Sequence, residues 1–357
     1  TAARTFTATR TVTSTARATP TRTARTTPTH PPTPAQVPPA VRDQPTREDE
    51  SRQRATITPT LQATSTPEPT KAPVAPLTGK IAFPVYETGP RRFAIYLADI
   101  DGNGMTSLLS DASAPVLSPD GSRIAYRSWT DSDRALMVFD LTTGQTYRIS
   151  SFAEDSRPDW SADGRITFNS RRESDRRSRL YTTGSWVGAT ATPLQGTEGV
   201  IFGDNPSWLG TSRIAYSTCP PEGCSITVVN ADGAGITKII DTTERTSLDG
   251  SPDGRRIVYA AKRDGNWDIY VIGVDGSGGA QLTQDAAFDW LPVWSPDGTH
   301  IAFVSNRGGR WALWAMTAEG GNLRHLFDIP GSPDGIVRDE PAWSSMGWIE
   351  ERISWAP

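Results

Sequence analysis

An isoleucine recurs through the last three quarters of the chain at Ile81, Ile124, Ile166, Ile214, Ile257, Ile301 and Ile353, with spacings of 43, 42, 48, 43, 44 and 52 residues. It opens the second strand of a self-similar unit. The clearest copy, residues 292–327, reads PVWSPDGTHIAFVSNRGGRWALWAMTAEGGNLRHLF. Others begin PVLSPDGSRIAYRS at Pro115, PDWSADGRITFNS at Pro158, PSWLGTSRIAYST at Pro206 and DGSPDGRRIVYAA at Asp249, with a partial copy, PAWSSMGWIEERISW, at Pro341. Within a unit a short apolar strand meets an SPDG turn, in which Pro presets the turn dihedral, Asp bonds nearby backbone and Gly permits the exit. A second strand, a polar loop, a third strand, a Gly-containing turn and a fourth strand follow. A period of about 40–45 residues with four strands per unit is the signature of propeller blades.

Five complete units start at Pro115, Pro158, Pro206, Asp249 and Pro292. Strands KIAF, AIYLAD and TSLLS are left at the start, and PAWS with a spare RISW at the end. Joining the two ends makes a sixth blade and hides the sheet edges. RISW duplicates the place of KIAF, so a seventh blade stays open. The fold expected is therefore all-β, a six-bladed propeller over residues 79–357. The second-strand aromatics Phe83, Tyr126, Phe168, Tyr216, Tyr259 and Phe303, and the pre-turn Trp160, Trp208, Trp294 and Trp343, hold fixed repeat positions. That regularity marks them as packing between blades rather than as ligand platforms.

Residues 1–78 are of another kind: Thr, Pro, Ala and Arg with few large apolar side chains, as in TATRTVTSTARATPTRTARTTPT. Such a segment cannot bury enough surface to offset its backbone entropy and is expected to be a disordered stalk. Its prolines bias it to extended polyproline II, with a reach on the order of 100–200 Å. It reads as an inert linker or as an O-glycosylated tether. The net charge of −4 divides unevenly, +5 up to Thr78 and −9 beyond. An acidic body argues against nucleic acid as partner. The chain opens on Thr1 rather than Met, so it reads as a fragment or a processed form, which leaves a signal peptide or membrane anchor upstream an open question.

The SPDG…IAF…IY…DG…LT unit resembles the WD-like repeat of TolB-type propellers and of the propeller domain of prolyl oligopeptidases. The resemblance implies a rigid ring presenting loops to a protein, peptide or glycan. The α/β domain that precedes the propeller in TolB has no counterpart here, so that family's envelope role does not carry over.

Catalytic patterns are missing. There is no G-x-S-x-G elbow, and the three histidines are His30, His300 and His325, too few and too scattered for a hydrolase triad or a three-His metal site. No metal or other cofactor is expected. Asp99-Ile-Asp101-Gly-Asn103-Gly104 begins like an EF-hand loop but has Ser110 where the bidentate Glu belongs, and it reads as a hairpin turn. Cys219-Pro-Pro-Glu-Gly-Cys224 sits at a hairpin tip. A disulfide there suits an oxidising compartment; two free thiols are the other reading.

The remaining pattern is acidic. Asp155 with Arg157, Asp204, Asp289 with Trp290, and Asp339 with Glu340 stand just before first strands. They either ring the channel mouth as a ligand site or each bond local backbone at a strand start. The Arg171, Arg172, Arg176, Arg177 and Arg179 loop reads as solvated or as a rim contact. The function expected is a non-catalytic extracytoplasmic binding or scaffold propeller, monomeric, with the stalk as envelope tether. The rivals are the substrate-gating propeller of a hydrolase, or a membrane receptor's sensor domain.

Overall fold

The computed structural model describes residues 76–197, 199–335 and 347–357. Most of the stalk expectation, residues 1–75, lies outside them, as do Trp343, Asp339 and Glu340. Six four-stranded antiparallel sheets make six blades. The inner strands of blades 2 to 6 are Ala112–Leu117, Ser156–Trp160, Asp204–Leu209, Leu248–Gly250 and Asp289–Trp294. Each is followed outward by three further strands in chain order. Blade 1 is Lys80–Glu87, Arg92–Asp99 and Thr106–Ser110, and its inner strand is Ser354–Ala356 from the other end of the chain.

That closure differs in detail from the sequence reading. The strand beside Lys80–Glu87 comes from RISW, the segment expected to be spare, with Ile81 opposite Trp355 and Ala82 opposite Ser354. With RISW used this way, the described strands close six blades. Apart from a two-residue ladder between Gln195–Gly196 and Gly199–Val200, every described strand belongs to one of the six blades.

The expected aromatics are where the period put them. Phe83, Tyr126, Phe168, Tyr216, Tyr259 and Phe303 are buried. Three of them stack on the third-strand aromatic opposite, as Phe168 does on Tyr181 at 5.5 Å. The described pre-turn tryptophans, Trp160, Trp208 and Trp294, are buried between blades, each under the arginine that opens the second strand of the preceding blade. Arg123 covers Trp160 at 4.9 Å, Arg165 covers Trp208 at 4.6 Å and Arg256 covers Trp294 at 4.6 Å.

The turns show why SPDG repeats. In Ser118-Pro119-Asp120-Gly121 the Ser118 hydroxyl donates to Asp120 Oδ1, which also accepts the Ser122 amide at 3.1 Å. Ser118 Oγ in turn accepts the Arg123 amide at 2.9 Å, and Gly121 sits at φ +67°. Ser251 with Asp253 and Ser295 with Asp297 repeat the arrangement. The EF-hand-like segment is the hairpin turn after Arg92–Asp99, closed by Asp99 N donating to Asn103 O at 2.9 Å.

These bonds, the Ser118 hydroxyl foremost, pull Asp120 down to about 2, and the Ser251 hydroxyl lowers Asp253 in the same way. An aspartate in the unfolded chain titrates near 3.9. The turns' contribution is therefore complete above about pH 4 and is lost as pH falls towards about 2. Asp120→Asn is expected to flatten that acid limb when urea midpoints are followed in pH steps. An unchanged limb contradicts this role for the turn.

Candidate binding site at the channel mouth

Each inner strand runs from a connector on one face, here called upper, to an SPDG-type turn on the lower face. The loops between second and third strands also open on the upper face. In four blades the inner strand begins with a bulge. Ala114, Arg157, Asn205 and Leu291 have φ near +50°, each immediately before a proline, and the strand register shifts across each site. Proline has no amide hydrogen to leave unpaired at the break. Blade 5 has Leu248 at the proline's place and shows no such bulge.

The acids singled out from sequence lie at this upper end, and arginines hold them. Asp155 is fully buried and accepts two bonds of 2.7 Å from Arg172 Nη2. Asp289, also fully buried, accepts one of 2.7 Å from Arg307. The two pairs are repeat-equivalent, each joining the connector to the loop beyond the second strand. Asp204 faces Arg245 at 3.1 Å and Arg171 at 3.5 Å. Arg157 is buried, 3.5 Å from Glu350. The structure thus brings Arg157 and Asp204 towards the axis and ties Asp155 and Asp289 into the blades. The Arg-rich loop is engaged throughout: besides Arg171 and Arg172, Arg176 meets Glu154, Arg177 lies 3.6 Å over Phe202, and Arg179 pairs with Asp175 at 2.7 Å.

Trp290 belongs to an aromatic stack on the upper face of blades 5 and 6. It lies parallel to Trp348 at 4.4 Å, stacks on Trp311 at 4.7 Å and on Phe288 at 5.6 Å, while Trp267 meets Trp348 edge-on. Phe288 is 38% exposed, and Trp311 and Trp348 are partly exposed. The upper face therefore has an arginine side, on blades 2 to 4, and an aromatic side.

The segment before the closing strand supplies residues the sequence reading did not single out. Glu350 lies 3.3 Å from Arg127 and 4.0 Å from Arg171 as well as near Arg157. Glu351 accepts the Ala114 amide at 2.8 Å. Arg352 pairs with Asp159 at 2.7 Å and lies 3.7 Å from Asp249. Those two aspartates clip adjacent inner strands: Asp159 accepts the Trp208 amide at 2.6 Å and Asp249 the Trp294 amide at 2.9 Å. Ser207 Oγ lies within hydrogen-bond distance of both, 3.2 Å from Asp159 and 3.1 Å from Asp249. A signal was available. Asp159 and Asp249 stand where the repeat has Val116 and Val293 in other blades, and Glu-Glu-Arg stands shortly before the final strand. Below this layer the channel opens on the lower face as a cavity of about 280 Å³, edged by Asp159, Ser207, Asp249, Arg352 and the SPDG turns.

Cys219 and Cys224 form a disulfide across the upper-face loop of blade 4. Among the described residues no helix is long and apolar enough to cross a membrane.

Residues 205–348 match the family described as TolB beta propeller domain. The propeller is of the TolB type. The TolB homolog of Chlorobium chlorochromatii (strain CaD3) is 31% identical over 134 residues, 35% of this chain and 29% of that protein. The structure of TolB from Acinetobacter baumannii superposes with a TM-score of 0.62 at 20% identity, covering 78% of this chain and 67% of that one. A TolB of Agrobacterium tumefaciens gives 0.57 at 22% identity, covering 78% and 98%. The chain spans less than a third of the length of the curated relatives it matches.

Burial raises Glu351 to about 8, with the neighbouring Glu350 adding to the effect. A glutamate in the unfolded chain titrates near 4.3. A raised carboxyl stabilises the fold fully below its unfolded pKa, and that contribution fades as pH rises to the folded value. Stability is therefore expected to decline from about pH 5 to about 8, and Glu351→Gln, which keeps an oxygen for the Ala114 amide, is expected to make that decline shallower. Melting temperatures measured across the range check this; parallel curves for the two proteins contradict it.

Proposed function

We propose that this chain is a non-catalytic binding propeller that works outside the cytoplasm and takes a protein, peptide or glycan partner on its upper face. The observation that carries the reading is the partly exposed stack of Phe288, Trp290, Trp311 and Trp348 beside a charged channel mouth. Rigid aromatics next to arginines are the usual anchors of recognition surfaces. Relatives named as proteins of the Tol-Pal system support an envelope setting, and so does the disulfide. Residues 1–78 would serve as the tether of the folded body.

In this reading Asp155, Asp204 and Asp289 position the surface. Their arginine partners neutralise them, so a ligand meets aromatic rings and guanidinium groups before it meets carboxylate. Arg157, Trp290, Asp339 and Glu340 complete the proposed site.

The test is a peptide and glycan array probed with the whole chain, with a Phe288→Ala/Trp311→Ala variant, and with Trp186→Ala on the lower face. Truncating an anchor residue costs about 2 kcal/mol, roughly thirtyfold in affinity. The double variant is expected to lose array ligands by at least that factor while Trp186→Ala retains them. Equal retention by all three proteins, or loss confined to Trp186→Ala, overturns the reading.

A further inference from the structure

Inside the channel, between the upper mouth and the lower cavity, lies a second cavity of about 20 Å³. Its walls include Arg157, Asn205, Ser247, Leu291, Glu351 and Arg352. These walls carry an unusual surplus of donors. Arg157 is 2% exposed, and its Nε, Nη1 and Nη2 reach no hydrogen-bond acceptor in the protein; its ionic neighbour is Glu350, at 3.5 Å. Arg352 Nε and Ser247 Oγ, on the same walls, are also buried without a protein partner. A buried guanidinium with every nitrogen unsatisfied is among the costliest arrangements a fold can hold, and such groups in native proteins normally have an occupant to bond.

The charges around the cavity point the same way. Arg127, Arg157, Arg171, Arg245 and Arg352 share the carboxylates Asp159, Asp204 and Glu350. Burial raises the two further carboxyls as well, Asp249 to about 7 and Glu351 to about 8.

We propose that this cavity is a binding site for one monatomic anion of the halide class, held by Arg157, Arg352 and Ser247. The cavity exceeds the roughly 10–15 Å³ that one water needs, which leaves room for a single small ion. A halide accepts from several donors at once, whereas a water accepts two, fewer than the unpartnered donors on these walls. The ion locks blades 3 and 5 to the closing segment, because its three ligands come from the start of blade 3, the connector to blade 5 and the residues just before Ser354–Ala356.

The test uses the full chain. Thermal unfolding is followed in sodium bromide against sodium fluoride and sodium gluconate at constant sodium, and crystals grown in bromide are examined for anomalous scattering. The expected result is a bromide peak between Arg157 and Arg352, and a melting temperature that rises saturably with bromide. Ser247→Ala, which removes one donor to the ion, is expected to weaken the apparent Kd about tenfold, and Arg157→Met to abolish the saturable rise. Should Arg157→Met fail to fold, Ser247→Ala and the anomalous map still decide. Absence of bromide density in the cavity overturns the proposal, and so does a salt effect that does not saturate and is unchanged in Ser247→Ala.

Discussion

The pairing of Ser354–Ala356 with Lys80–Ala82 is the constraint on which the rest of the structure depends. A ring of sheets is stable only if the first and last meet, because an open ring leaves two strand edges and two apolar blade faces exposed. Here the meeting is made by three residues from the far end of the chain, supported by Trp355 Nε1 donating to the Thr78 carbonyl at 3.0 Å and Ser354 Oγ accepting the Leu117 amide at 2.9 Å. The loops that close such pairings are long, so their entropy must be offset by the whole interface at once. Closure and blade packing should therefore stand or fall together.

The same segment furnishes the channel. To reach the inner position of blade 1 the chain must pass down the axis, and Glu350, Glu351 and Arg352 lie along that path. Glu350 and Glu351 meet blade 2, through Arg127 and the Ala114 amide, and Arg352 meets Asp159 of blade 3. Asp159 and Asp249 then fasten neighbouring inner strands to each other through backbone amides. A channel built this way has a polar, specifically wired interior, where an apolar filling would fix neither the register of the blades nor the path of the tail. The site and the lock are one piece of chain.

The blade count and the packing aromatics were legible in the sequence because they are periodic: the same demand recurs at each blade and stamps the same residue there. The SPDG turns were legible for a local reason, since Ser, Asp and Gly satisfy one another within six residues. What was harder to read is what occurs once. RISW looked redundant because it resembles a second strand, yet it fills an inner place; only the three-dimensional path through Glu351 assigns it. The acids before the inner strands were visible, but their neutralisation by Arg172, Arg245 and Arg307 depends on loops that sequence spacing does not bring together. Arg157 was visible beside Pro158, whereas its left-handed backbone and its orphaned nitrogens were not. The residues that give the channel its chemistry break the repeat, and a reading built on the repeat passes over them.

The most direct test of this account is the unfolding of a chain ended at Arg352, compared with the whole chain by calorimetry and by hydrogen exchange. The account predicts that removing Ser354–Ala356 opens blade 1, lowers the melting temperature sharply, and loosens amides in blades 2 and 6 as well as in blade 1. A shortened chain that melts in one transition at an unchanged temperature, with exchange altered only in Lys80–Glu87, would contradict it.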